Sequence, residues 1–333
     1  MRNGEGLSKH AELSCGLPYQ IKLKERGDVP AIGGNEIWRY VQLDIKGYFD
    51  VKELENDKEF IKKINVPHIV LQRIVAHILS PKDHIKVAGT VDTTNNIPVN
   101  TITCLFTKKD SKLSLYFLCA WLNSRFYSWY AYNFIFSKAI RSMDLYEYFA
   151  VKVPLPKIVF NTDTSTRREL FNTFTELYIE GEPNKSYNNA LSFVSDQIRN
   201  HTDVVHDLLG YLAEQMIEMN KQKQKEVKSF LEWLEDLLET EIDSLTNRTK
   251  IGKYYDLNFN EFFKILKKNA NKISINVSEL DFHKNLREGF EKSTATLNPL
   301  KDKIKATDKL IDQIVYKLYG LTDEEIKIVE ESA

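Results

Sequence analysis

Cations and aromatic rings alternate within one short stretch, residues 125–141, and this pattern has the clearest chemical meaning in the chain. The stretch contains Arg125, Phe126, Tyr127, Trp129, Tyr130, Tyr132, Phe134, Phe136, Lys138 and Arg141. Cations in such a mixture can position phosphate groups, and the rings can stack on bases. The other interpretation is a core helix with buried rings and with cations at its ends. Under both, Lys138 and Arg141 are the better candidates for contacting a nucleic acid.

Groups that could perform catalysis or hold a metal are scattered. Three histidines of the first half lie at irregular spacing and lack carboxylates or thiols at ligand spacing; they are His68, His77 and His84. A second group could hold a metal, but its acidic members equally suit a helix N-terminus; it comprises His201, Asp203, His206 and Asp207.

Other signatures of enzyme chemistry are missing from the sequence. No positioned base accompanies the cysteines, which are Cys15, Cys104 and Cys119. There is no glycine-rich phosphate loop, no serine in a nucleophile-elbow string and no Asn-Pro-Pro-Tyr string. We therefore predict no catalytic, cofactor-binding or metal-binding residue in this chain.

The near-zero net charge hides an asymmetry. Residues 1–160 contain about 22 Lys and Arg against 16 Asp and Glu, and within 61–160 the ratio is about 13 to 5. Residues 161–333 contain about 24 against 31. A basic half in a near-neutral protein suggests a polyanionic partner on that half, although a chance distribution over a solvated surface gives the same count.

The residue types and their periodicity predict an α+β protein with two regions. Residues 1–160 are rich in β-branched and aromatic residues, and we expect strands at Ile21–Leu23, Ile69–Ile74, Ile85–Val91 and Val99–Leu105. A helix is expected over Leu113–Tyr132, because its apolar residues share one face. The Val-Pro-Leu-Pro string at 153–156 ends this mixed α/β domain.

Residues 161–333 are predicted to be all helical. The first helix covers about 167–179 and is ended by Gly181 and Pro183. Apolar residues at spacings of three and four from Val205 to Leu237 predict a long helix or a helix pair, with a charged stretch at 221–228. Shorter helices follow at 258–268 and at about 310–318. Gly320 fits a C-terminal cap, and a capping box from Thr322 begins the last helix.

Length and composition place the chain among ordinary globular proteins. Its 333 residues are 42% hydrophobic, which suits two domains with real cores. No apolar run reaches the ~18 residues of a membrane span, and the first residues lack the apolar core of an export signal. With three cysteines and no disulfide framework, we expect a cytoplasmic protein with no membrane partner.

Five segments, taken in order and with their spacing, resemble a known family. They are Gly34–Tyr40, Val66–Ile74, Tyr116–Ser124, Phe149–Ile158 and Ile311–Glu330. They are similar to landmarks of the TaqI-like C-terminal specificity domain, the target-recognition domain of type IIG restriction–modification enzymes and related adenine-specific DNA methyltransferases. The proline-rich segment is shared with type I specificity subunits.

The resemblance implies that residues 1–160 are a DNA target-recognition domain and that 161–333 are a helical spacer or docking region. Such enzymes carry a methyltransferase domain, and often a nuclease, before this region, and this sequence has neither. We therefore expect a piece of a larger enzyme or a stand-alone recognition subunit. Its partners would be double-stranded DNA and a methyltransferase domain or subunit, which would bind S-adenosylmethionine and flip the target adenine. No cofactor is expected in this chain.

The resemblance and the charge together suggest which residues contact DNA. They are Arg39, Arg73, Lys138 and Arg141, followed by Tyr40, Gln72 and Asn123. Arginine, asparagine, glutamine and lysine side chains read base edges in the major groove. Asn123 equally suits the end of its helix.

Three other interpretations remain open. The chain could be a half-length type I specificity subunit that pairs with a second copy through its long helix. It could be a helical scaffold that binds a protein partner through the apolar face between Val205 and Leu237, without binding DNA. It could also be an enzyme whose site has no recognisable signature.

Overall fold

The computed structural model describes residues 5–180, 187–277 and 279–332. Strands occur between residues 5 and 155, and from residue 164 onward the described secondary structure is helical. This confirms the predicted α+β class, with a mixed region followed by a helical region that contains long helices. The predicted helix end at Gly181 and Pro183 lies outside the described residues.

The strands are short and fall in the first half of the chain. In chain order they are β1 (Glu5–Gly6), β2 (Ala11–Cys15), β3 (Val29–Ile32), β4 (Ile37–Trp38), β5 (Val41–Gln42), β6 (Gly47–Phe49), β7 (His68–Gln72), β8 (Ile74–Val75), β9 (His77–Ile78), β10 (His84–Ile85), β11 (Gly89–Asp92), β12 (Ile97–Pro98), β13 (Ile102–Thr107), β14 (Met143–Asp144) and β15 (Pro154–Leu155).

The helices include two that are much longer than the rest. They are α1 (Lys58–Ile64), α2 (Leu115–Asn123), α3 (Arg125–Tyr130), α4 (Glu147–Ala150), α5 (Thr164–Ile179), α6 (Tyr187–Gln197), α7 (Thr202–Leu238), α8 (Arg248–Gly252), α9 (Phe259–Lys268), α10 (Leu280–Leu318) and α11 (Asp323–Glu331). A π-helical turn at Ala131–Ile135 extends α3.

A four-stranded antiparallel sheet, in the order β11-β7-β13-β2, forms the centre of the mixed region. Ile69, Val70 and Leu71 of β7 are all buried, as expected for a strand that is covered on both faces. Helix α2 packs on β7 and β11. Val70 and its cross-strand partner Cys104 belong to a core that also contains residues of β3, β6 and α1.

The predicted helix over Leu113–Tyr132 is divided in two. Ser124 has an extended backbone, with ψ 152°, and its Oγ accepts a hydrogen bond from the N–H of Tyr127 as the N-cap of α3. Its hydroxyl also donates to the carbonyl of Trp121. A serine that bonds to neighbouring backbone groups competes with the helix ladder, which explains the break.

Two predicted strands were wrong in part or in whole. Ile21 is fully exposed in a 3₁₀ turn, Gln20–Lys22, in which the N–H groups of Lys22 and Leu23 bond to carbonyls three residues earlier and not to another strand. The predicted strand Ile85–Val91 is two strands, β10 and β11. Between them the Val87 N–H donates to the Oγ of Ser128 and not to a neighbouring strand.

Helix α7 runs without interruption through the charged stretch 221–228. That stretch consists of lysine, glutamine, glutamate and valine, most of which favour helix. Most apolar residues from Val205 to Phe230 along this helix are buried by the chain itself, including Leu209, Leu212 and Met216. The apolar face that a protein partner was predicted to use is therefore filled over most of its length.

The chain divides into two compact units. The first, which we call the mixed unit, comprises Met1–Ile217 and Ala306–Ala333; the second, the helical unit, comprises Glu218–Lys305. This division differs from a single boundary at residue 160. The difference arises because 161–217 and the C-terminal segment pack within the mixed unit; Tyr178 Oη, for example, lies 2.8 Å from Thr307 Oγ1.

The helical unit has an aromatic core of its own. Phe230 stacks on Tyr254 with ring centroids 3.9 Å apart, and Phe262 stacks on Phe290 at 5.2 Å. The Tyr254 hydroxyl lies 2.6 Å from Ser293 Oγ, which donates to Glu226. Such ring pairs add specific geometry to apolar burial.

The C-terminal signals were predicted correctly. Gly320 has φ +63°, where a side chain would be strained, and Thr322 and Glu325 form the capping box of α11. Along the described ranges, none of the helices combines the length and the apolar character that crossing a membrane would require.

Candidate nucleic-acid interface

Two loops of the mixed unit lie side by side because their ends are joined. The first is the β9–β10 turn, residues 79–83, and the second is residues 136–142, which lead into β14. Strand β14 pairs with β8, so that Met143 lies opposite Val75. The rings of His77 and Tyr132 stack with centroids 5.8 Å apart, and Tyr132 Oη lies 3.3 Å from His77 Nε2. We call the exposed side chains of residues 74–86 and 134–146 the loop surface.

The loop surface combines apolar side chains with cations. Leu79 is 70% exposed and Ile140 is 74% exposed, although both are large aliphatic residues. The other exposed apolar members are Ile74, Phe134 and Tyr146, and the exposed cations are Lys82, Lys86, Lys138 and Arg141. Exposed apolar groups rimmed by charge mark interaction sites.

The second loop has a defined backbone. Ser137 and Lys138 both have positive φ, at 51° and 58°, a region that costs non-glycine residues about 1–2 kcal/mol each. The Lys138 N–H donates to the carbonyl of Tyr132 at 2.9 Å, which closes the turn. The loop therefore presents Lys138 from a fixed backbone position.

Lys138 and Arg141 are the predicted contact residues with free charges. Both are exposed, and neither forms an ion pair with any residue that the structure describes. Lys82, in contrast, lies 3.6 Å from the Glu331 carboxylate, with both side chains more than half exposed. Exposed pairs of this kind contribute little and exchange readily with other partners.

Arg73 and Gln72 have internal partners. The Arg73 guanidinium lies 3.0 Å from the Asp144 carboxylate, donates to Cys15 Sγ and covers the ring of Tyr146 at 4.6 Å. The Gln72 amide donates to the carbonyl of Gly34. Arg73 thereby fixes the position of the segment after β14 that carries Tyr146 of the loop surface.

Arg39, Tyr40 and Asn123 are structural in this arrangement. Arg39 donates two hydrogen bonds to the Asp308 carboxylate and one to the carbonyl of Asn123. Tyr40 is fully buried. Asn123 does more than end its helix, because its amide bonds to both the N–H and the carbonyl of Gly89 in β11. That these three contact DNA stays a prediction, and their internal contacts weigh against it.

The histidines and aspartates at residues 201–207, at the start of α7, form hydrogen bonds with the linker that precedes the helix. Asp203 accepts hydrogen bonds from the backbone of Asn161 and from both the backbone and the hydroxyl of Thr162. Burial alone would raise the pKa of Asp203, but the bonds from Thr162 outweigh it and the pKa is lowered. His206 Nε2 accepts from the Ser114 N–H, so Nδ1 carries the proton toward Asp207.

This group is therefore accounted for by hydrogen bonding. Within the described ranges, three or more potential ligands for a metal ion do not come together anywhere.

The charge counts of the two compact units differ from those of the two halves of the sequence. Residues 218–305 contain 17 Lys and Arg against 15 Asp and Glu. The acidic excess of the second half lies in 161–217 and 306–333, which contain 7 against 16 and belong to the mixed unit. Part of it neutralises cations of the first half directly, through the pairs of Asp308 with Arg39 and of Asp312 with Arg125.

Sequence reasoning missed Leu79, Ile140 and Lys86. The Ser80–Pro81 pair beside Leu79 was the available signal, since Ser-Pro favours a turn and an exposed loop tip.

Comparison with known protein families finds a similarity over part of the chain. Residues 203–315 are similar to a family described as Domain of unknown function (DUF8810). No curated protein matches the chain. The matched residues begin in the first turn of α7 and end within α10, so they include the whole helical unit and none of the loop surface.

Proposed function

We propose that this chain is a sequence-specific DNA recognition module of a restriction–modification system of the adenine-methylating class, with catalysis supplied by another domain or subunit. The observation that carries the proposal is the loop surface. Lys138 and Arg141 have no counterion in the described chain, and exposed aliphatic groups lie on the same two loops. The resemblance of five segments to a target-recognition domain supports the same class.

The chemistry of this surface suits a duplex. Lysine and arginine hold backbone phosphates and release condensed counterions, which makes affinity depend on salt. The planar guanidinium of Arg141 can pair with two acceptors of a guanine edge in the major groove. Loops that are held by rigid strands keep such groups at fixed positions relative to one another.

In this proposal the catalytic partner binds S-adenosylmethionine and takes the flipped adenine into its own pocket. The residues of this chain anchor and read the duplex beside it. The helical region, which includes the DUF8810 similarity, serves as the spacer and docking region toward that partner.

The experiment has two steps. Sequences that bind the chain are first selected from a pool of randomised duplexes, and the affinity for the selected site is then measured by fluorescence anisotropy. We expect the affinity to fall steeply between 50 and 200 mM salt, by roughly 0.9 log units per log unit of salt for each phosphate contacted. Lys138→Ala and Arg141→Ala should each weaken binding. Lys264→Ala, an exposed lysine of α9 in the helical unit, is the matched control and should not.

Two results would refute the proposal. One is absence of salt-dependent duplex binding by the folded chain at any sequence. The other is equal weakening by all three substitutions, since that would indicate nonspecific attraction by positive charge.

A protein partner is the second candidate, and the exposure of Leu79 and Ile140 favours it. If the surface binds a protein, Leu79→Asn should lose binding to that partner while its affinity for duplex DNA is unchanged. For a half-length type I subunit, sedimentation would show a dimer.

A further inference from the structure

A small, largely enclosed pocket of about 110 Å³ lies in the mixed unit, apart from the loop tips. Its lining includes Arg39, Lys86, Arg125, Ser128 and Asp308. These residues come from four separate parts of the chain: the β4–β5 turn, the segment between β10 and β11, helix α3 and helix α10. The pocket has room for a few water-sized groups and is far below the 300–1,000 Å³ of typical small-molecule sites.

The charges that line the pocket are unbalanced. Three cations face it, against the single carboxylate of Asp308, and that carboxylate is already held by both terminal nitrogens of Arg39. Arg125 has a counterion outside the lining, Asp312, at 3.3 Å, but its own side chain is 47% exposed. Lys86 forms neither an ion pair nor a hydrogen bond with the part of the chain that the structure describes. The pocket therefore has an excess of positive charge, and Lys86 is attracted by Asp308 and Asp312 without forming an ion pair with either.

The surroundings of Lys86 agree with a missing counterion. Partial burial and the nearby charge of Arg39 lower the pKa of Lys86. The compensating carboxyl of Asp312 is weakened as well, because burial and the neighbouring Asp308 raise its pKa to about 7. Near neutral pH the cations are thus only partly offset.

One donor at the pocket lacks an acceptor. The Oγ of Ser128 accepts from the Val87 N–H at 3.1 Å, which leaves its own proton free to donate. A buried donor without an acceptor costs about 1–3 kcal/mol, so such groups usually face an ion or a water molecule.

We infer that this pocket binds a tetrahedral oxyanion of the phosphate class. Lys86 supplies the positive charge that lacks a direct counterion, the Arg125 guanidinium, which is shared with Asp312, lies beside it, and the Ser128 Oγ donates a hydrogen bond to an oxygen of the anion. The volume admits one phosphate group and excludes a whole nucleotide. Because the lining joins Lys86, α3 and the C-terminal part of α10, the bound anion ties these elements together. This inference does not depend on the proposed DNA recognition.

The test uses the full chain and inorganic phosphate, with no DNA present. Isothermal titration and thermal unfolding are recorded with phosphate and with chloride at matched ionic strength. We expect saturable phosphate binding and a rise in unfolding temperature that chloride does not give, since a ligand that binds only the folded state stabilises it. Lys86→Gln should weaken phosphate binding about tenfold, and Lys86→Glu should abolish it.

The matched control is Lys109→Gln, an exposed lysine beyond the end of β13 and outside the pocket lining. It should bind phosphate like the unmodified chain. Circular dichroism confirms the fold of each variant; because Lys86 is exposed, its substitution should leave the spectrum unchanged. The inference would be overturned if phosphate and chloride shifted the unfolding temperature equally. It would also be overturned if Lys86→Gln bound phosphate with the same affinity as the control variant.

A further arm identifies the source of the phosphate. A duplex with 5′-phosphates and the same duplex without them are each titrated against phosphate-saturated protein. Displacement by the phosphorylated duplex alone assigns the pocket to a DNA terminus. No displacement by either assigns it to free phosphate or a small phosphate ester.

Discussion

Arg39 and Asp308 form a two-point ion pair across 269 residues of sequence, with Nη1 2.7 Å from Oδ2 and Nη2 2.6 Å from Oδ1. The pair joins the β4–β5 turn to the C-terminal part of α10, and the same guanidinium bonds to the carbonyl of Asn123 at the end of α2. One arginine therefore holds three elements of the mixed unit. Its charge is also used internally, which reduces the positive excess that the first half of the sequence offers to a partner.

We expect removal of either member of this pair to destabilise the mixed unit. Arg39 and Asp308 side chains are only 14% and 22% exposed, so Arg39→Ala leaves a carboxylate partly buried without its partner. The expected loss is about 2–4 kcal/mol of unfolding free energy, measured by urea denaturation. Arg287→Ala breaks the exposed pair with Glu291 and serves as the control, with an expected change below about 0.5 kcal/mol. A double-mutant cycle without coupling between Arg39 and Asp308 would contradict this account.

Asp312 should make stability depend on pH. Burial, and then the charge of Asp308, raise its pKa to about 7 from an ordinary value of 3.8. A carboxyl whose folded pKa is raised favours folding when protonated, so its contribution declines as pH rises from about 4 to about 7 and is constant above that. Asp312→Asn should remove this decline while still accepting the hydrogen bond from the Arg125 N–H.

The measurement is unfolding free energy from pH 5 to pH 8 for both proteins. The difference between them isolates Asp312, because all other titrating groups are shared. Curves that remain parallel below pH 7 would show that Asp312 titrates normally in the folded state.

Local signals in the sequence determined much of the fold but not the site. The capping residues Gly320, after α10, and Thr322, before α11, are recognisable from residues within a few positions, so they were predicted correctly. The break at Ser124 was missed because apolar periodicity continues across it while the hydroxyl captures the backbone. The sequence suggests a DNA contact for Arg39 because its partner, Asp308, is distant in sequence, and only tertiary packing brings the two together.

Arg141 and Arg73 should respond differently to substitution. Arg141 is exposed and without a partner in the described chain, so Arg141→Ala should leave stability within about 0.5 kcal/mol and weaken duplex binding by about 1–3 kcal/mol if the contact is a base edge. Arg73→Ala removes contacts to Asp144, Cys15 and Tyr146, so it should lower both stability and duplex affinity.

The effects on stability and on duplex binding are separated by measuring the affinity and the unfolding temperature of each variant. A contact with a phosphate in place of a base would lower the affinity of Arg141→Ala for all sequences equally and reduce the salt slope by about one. Unchanged duplex binding in both folded variants would remove both residues from the interface.

The chain alone should neither methylate nor cleave DNA. Adenine methylation needs a site for the methyl donor and polar groups that hold the flipped base, and the sequence has neither the glycine-rich donor loop nor the Asn-Pro-Pro-Tyr string that usually supply them. Cleavage requires carboxylates gathered around a metal, and no such group occurs among the residues that the structure describes. The measurement is transfer of labelled methyl groups from S-adenosylmethionine to duplex DNA, with and without a cognate methyltransferase domain added in trans. We expect incorporation only with that domain, at sites that this chain selects. Turnover by the purified chain above a heat-inactivated control would show that it carries its own active site, and the histidines and aspartates at residues 201–207 would be the first to substitute.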